Sequence, residues 1–149
     1  MSKISFYQVM NGEILKSSCM LLEKCFQNNF KTFVQVSNEE DVLSLDKTLW
    51  TFSQKAFIPH CTNLDPMPEK HPIYISHEDI CPIDANILML IERYRLDIKE
   101  YDRVLIMLDG TIQADVKQSM DTMNELKNLG HEVEYYRQNA KLAWEKISE

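Results

Sequence analysis

The stretch ILMLIERYRLDIKEYDRVLIML (residues 87–108) decides the fold. Its two ends, Ile87 to Ile91 and Val104 to Leu108, are unbroken apolar runs. A strand with one wet face alternates apolar and polar residues, whereas a continuous run suits a strand buried on both faces. Two such strands predict a parallel sheet with helices covering both sides. Working toward the C-terminus, Thr111 to Leu129 supplies one helix, with Ile112, Val116, Met120, Met123 and Leu126 on a face and Gly130 to end it. His131 to Tyr136 reads as a late strand, and the tail from Asn139 as a short terminal helix. Toward the N-terminus, Ile73 to Ser76 is a short strand, and Pro59, Pro66, Pro68 and Pro72 make 51–72 a long loop. Ser37 with Glu40 is a capping-box signature for a helix through Leu49, buried along Val42, Leu45 and Leu49. Thr32 to Val36 is a strand, Glu13 to Phe30 a helix striped by Leu15, Cys19, Leu22, Phe26 and Phe30, and Ile4 to Val9 a first strand closed by Asn11-Gly12. Strands alternating with helices predict an α/β chain, a single Rossmann-like domain over 1–149 whose mostly parallel sheet is flanked by helices.

Length and charge bound the function. At 149 residues the chain is long enough for one substantial core. No apolar run approaches the roughly 20 residues that cross a bilayer, and MSKISFYQVM lacks the apolar core of a signal peptide. A soluble, cytoplasmic protein with no membrane partner is the expectation. In that compartment Cys19, Cys25, Cys61 and Cys81 are reduced packing residues. Sixteen basic against twenty-three acidic side chains give a net charge of −7, which repels a phosphate backbone and argues against direct DNA binding.

Three kinds of chemistry can be weighed. Phosphate cradles need glycines where the backbone meets the ligand, but Gly12, Gly110 and Gly130 fall in no phosphate-binding pattern. Leu108-Asp109-Gly110-Thr111 resembles the end of the D-x-D-G-T motif of haloacid-dehalogenase-type phosphatases, yet Met107 stands where the attacking aspartate belongs. Asp109 is then a turn residue or helix cap. His60, Cys61, His71, His77 and Cys81 are metal-ligand types at spacings unlike those of structural zinc sites. The expectation is no catalytic residue, no metal and no cofactor, with a small metal- or nucleotide-dependent enzyme on a Rossmann-like sheet as the alternative.

The most specific string is Leu45-Asp46-Lys47-Thr48-Leu49-Trp50 followed by Ala56-Phe57-Ile58-Pro59-His60. With Phe6-Tyr7 before it and Gly130-His131, Tyr135-Tyr136, Gln138 and Trp144 after it, it resembles the chi subunit of bacterial DNA polymerase III. That resemblance implies a noncatalytic accessory subunit of the holoenzyme in DNA replication. Its implied partners are the psi subunit of the clamp loader and the acidic C-terminal tail of single-stranded-DNA-binding protein. The psi contact would use Trp50, Phe57, Ile58 and Pro59, and rigid aromatics are the residue types that dominate interface energies. The tail would meet the helix before Gly130, where the family often carries an arginine, an aromatic and a lysine and this chain has Met120, Met123 and Asn124. Charge recognition then falls to Lys117 and Lys127 beside the two methionines.

Overall fold

Side chains on a strand point alternately to opposite faces, so a continuous apolar run serves two cores at once. In the computed structural model, which describes residues 2–52, 58–63, 71–78, 81 and 83–147, the central runs do this. Strands β5 (Ile87–Ile91) and β6 (Arg103–Asp109) pair in parallel, Leu88 beside Val104 and Leu90 beside Ile106. Ile87, Met89, Ile91, Leu105 and Met107 enter one core, while Leu88, Leu90, Val104, Ile106 and Leu108 enter the other.

The sheet grows outward from this pair. Strand β1 (Lys3–Val9) lies on the far side of β6 and β2 (Thr32–Gln35) on the far side of β5. Beyond β2 come β4 (Ile73–Ser76) and β3 (Cys61–Thr62); beyond β1 come β7 (Glu132–Gln138) and β8 (Trp144–Lys146). The order is β3-β4-β2-β5-β6-β1-β7-β8, parallel throughout except for the antiparallel β7–β8 hairpin. Helices α1 (Ile14–Gln27) and α2 (Glu39–Thr51) bring Cys19, Leu22, Val42 and Leu45 to the first core. Helix α3 (Gln113–Asn128) brings Met123 and Leu126 to the second. The α/β, Rossmann-like, mostly parallel sheet read from the sequence is the fold observed.

Helix ends follow local chemistry. Gly130, at φ 93°, ends α3 as predicted, with the N–H groups of Gly130 and His131 donating to the carbonyls of Lys127 and Leu126. Helix α1 stops short of Phe30. Asn29 takes the left-handed conformation at φ 64°, and Asn29 and Phe30 donate to the carbonyls of Phe26 and Cys25. Asparagine tolerates that conformation better than other side chains, so it serves as the stop that glycine provides in α3. Helix α2 is capped by Asn38, whose Oδ1 accepts from the Asp41 N–H at 2.9 Å, and not by Ser37, whose hydroxyl donates to the Glu92 carbonyl. The cap therefore lies one residue later than the capping-box reading placed it. Glu39, Glu40 and Asp41 then complement the positive end of the helix dipole.

Two further expectations are corrected. The tail from Asn139 is a turn and strand instead of a helix. The Asn139 side chain accepts from the N–H groups of Lys141 and Ala143, Leu142 sits at φ 63°, and the chain returns as β8 with Trp144 opposite Gln138. The proline-rich stretch, read as loop, holds the two-residue edge strand β3 beside β4. No helix among the described residues is long and apolar enough to cross a membrane.

The two-core arrangement makes a quantitative prediction. Ile106 is completely buried, whereas Leu43 on α2 is half exposed. We predict that Ile106→Ala lowers unfolding free energy by about 2–5 kcal/mol and that Leu43→Ala changes it by no more than about 0.5 kcal/mol, read from urea denaturation midpoints.

A candidate partner-docking site at the end of α2

Helix positions four apart share a face, so fixing Leu45 and Leu49 inward fixes the neighbouring pair Asp46 and Trp50 as well. Both inward leucines are almost fully buried. The chain then returns to this face at Ile58, Pro59 and His60. Ile58, at 2% exposure, is anchored in the core beneath α1 and α2, which seats the backbone beside the helix. The His60 side chain is 1% exposed and both ring nitrogens meet oxygens: Nε2 lies 2.8 Å from Asp46 Oδ1 and Nδ1 lies 2.7 Å from the Ile58 carbonyl. Against this fixed imidazole rests the indole of Trp50, ring centroids 5.1 Å apart at a 57° tilt. Trp50 is nevertheless 56% exposed.

The strings around Trp50 and His60 thus have one physical meaning. The leucines dock α2, the aspartate clasps the returning histidine, and the histidine supports an outward tryptophan. Of the four residues expected at a psi contact, Trp50 is presented to solvent and Pro59 is half-buried. Ile58 is core and acts by holding the loop, and Phe57 lies outside the described residues. Sequence reasoning missed Asp46 and His60, although both stood in the quoted motif.

The second expected site divides in the same way. On α3, Lys117 is exposed, Met120 and Lys127 are half-buried, and Met123, at 6% exposure, belongs to the core. Ten residues of helix leave Lys117 and Lys127 about 80° apart around the axis, so they share no single row. Lys127 and Met123 instead line a groove of about 220 Å³ with Val133, Lys146 and Ile147. Lys146 was not anticipated, because its strand was read as a helix. Glu134 also lines this groove, 3.7 Å from Lys146 Nζ and 3.5 Å from Lys3 Nζ. The hydrogen bond from the Tyr136 hydroxyl, aided by those two lysines, holds the Glu134 carboxyl below the usual range.

The residues considered for catalysis have structural employment. Asp109 Oδ1 accepts from the Thr111 N–H at 3.0 Å and from its hydroxyl at 2.6 Å, closing a turn. At Gly110 a Cβ would press on Met10 Sδ and the Gln8 side chain beside the end of β1, so those side chains would have to shift to admit any other residue. Among the considered ligands, His60 engages Asp46 while His77 Nδ1 lies 3.1 Å from Glu39. Burial pushes the Cys19 thiol up to about 12, far from the ionised form a nucleophile needs.

Fold and site together define a Rossmann-like α/β protein whose most distinctive surface feature is a supported, exposed aromatic. Residues 1–134 match the family described as DNA polymerase III chi subunit, HolC. A protein of Rickettsia prowazekii named probable DNA polymerase III subunit chi is 33% identical over 154 residues, covering 99% of this chain and 93% of that protein. The DNA polymerase III subunit chi of Pseudomonas aeruginosa is 30% identical over 63 residues, covering 40% of this chain and 44% of that one. The chain belongs to the DNA polymerase III chi subunit family, and its setting is DNA replication.

The clasp can be tested by itself. We predict that Asp46→Ala, which leaves His60 Nε2 without its acceptor, costs about 1–3 kcal/mol of stability in urea denaturation and broadens the Trp50 indole resonance.

Proposed function

We propose that this chain is a noncatalytic accessory subunit of the DNA polymerase III holoenzyme, an adaptor between the psi subunit of the clamp loader and single-stranded-DNA-binding protein. The observation that carries this reading is the exposed indole of Trp50 seated on the buried His60, which is itself held by the half-buried Asp46. A rigid aromatic contributes large contact area at little entropic cost, which is why such residues dominate interface energies. Psi would meet Trp50 and Pro59, together with Phe57 as the family resemblance implies, and buried Ile58 would hold the returning chain from within. The acidic tail of single-stranded-DNA-binding protein would meet α3 at Lys117, Met120 and Lys127, above the buried Met123. The −7 charge supports recognition of DNA through these proteins in place of direct contact.

Trp50→Ala is expected to weaken calorimetric binding to purified psi subunit by roughly 30-fold or more, equivalent to about 2 kcal/mol, with the thermal melt unchanged. Equal affinity of variant and wild type would refute the assignment of this face. For the tail, lysines act as exposed point charges, screened beyond roughly 10 Å at 0.1 M salt. Affinity for the tail peptide is expected to be low and to fall steeply with salt. It should fall further in a Lys117→Ala, Lys127→Ala double variant; unchanged, salt-insensitive binding would place the tail elsewhere.

A further inference from the structure

A groove of about 390 Å³ runs between α1 and the β7–β8 hairpin, on the face of the sheet opposite α3 and at the margin opposite Trp50. One wall is a single row of the helix. Lys16, Met20 and Lys24 stand four residues apart, all exposed, Met20 by 55%. The other wall is the hairpin turn, where Leu142 is 56% exposed and precedes Ala143 and Trp144.

Both walls are fixed in place. Asn139 Oδ1 accepts from the N–H groups of Lys141 and Ala143, which sets the left-handed Leu142 outward. Trp144 packs edge-on against Tyr7, ring centroids 5.1 Å apart at 74°. Gln138 at the floor is held by the N–H groups of Met10 and Asn11. The groove therefore exposes apolar side chains in a preformed concavity.

Charge identifies the occupant. In a chain of net charge −7, the charged side chains lining this groove are Lys16, Lys24 and Glu13, a local excess of positive charge beside the apolar Met20, Leu142 and Trp144. Eight helical residues place the two lysine positions about 12 Å apart along the axis, and about four residues of extended chain span the same distance. We propose that this groove docks an extended acidic segment of a partner protein. One large apolar side chain of that segment enters between Met20, Leu142 and Trp144, and carboxylates four residues apart lie over Lys16 and Lys24. The site is independent of the psi and tail contacts, so its failure leaves them intact and theirs leaves it intact.

The test uses the full chain with 15N-labelled tryptophan and the peptide Ac-GESFSEG-NH2 as probe. The expected result is a saturable shift of the Trp144 indole N–H while that of Trp50 stays in place. Affinity should drop at least tenfold in a Lys16→Glu, Lys24→Glu double variant, in a Leu142→Ser variant with an unchanged melt, and for the peptide with glutamine in place of glutamate. No saturable shift of Trp144, a shift of Trp50 alone, or full affinity in the charge-reversed variant would overturn the proposal. Displacement of the peptide by oligothymidylate at equal concentration would overturn it in favour of nucleic acid.

Discussion

Everything in this molecule hangs on two strands that have no wet face. Because β5 and β6 send alternate side chains into two cores, neither helical layer can be lost without exposing half of a continuous apolar run. This constraint dictates that α1 and α2 supply one core and α3 the other. Functional surfaces on such a scaffold inherit the rigidity of the elements that present them.

The Trp50 face shows how that rigidity is passed outward. Burial of Leu45 and Leu49 fixes the rotation of α2, burial of Ile58 fixes the returning chain, and the Asp46–His60 hydrogen bond ties the two together. An indole held by such a frame loses little freedom when a partner covers it. The α1 groove is built on the same logic at the opposite margin, with Asn139 and Gln138 in place of Asp46 and His60.

How much of this was legible depended on whether the cause was local. The two-faced strands announced themselves because a period of zero polar residues has few structural uses, and Gly130 ended its helix as glycine does. Asn29 ended α1 by the same backbone geometry, but asparagine signals it weakly. Ser37 and Asn38 are both good caps and adjacent, so pattern alone could not choose between them. The β8 strand was hidden because its turn depends on one side chain, Asn139, folding the backbone over itself. Trp50 could be singled out from the sequence, but its support could not, since His60 and Asp46 are fourteen residues apart and meet only in the folded chain. Met123 lay on the apolar face that helical spacing marks, but nothing local brings Lys146 to Lys127, or Trp144 to Lys16 and Lys24. Those are products of the strand order.

The central claim is that Trp50 is a point of contact with another DNA polymerase III subunit. The most direct measurement places p-benzoylphenylalanine at position 50 in native cells, with position 96, another exposed apolar site distant in sequence, as the control. Irradiation is predicted to yield a covalent adduct with the psi subunit from position 50 and none from position 96. No adduct with a polymerase III component from position 50, or the same adduct from both positions, would contradict the account.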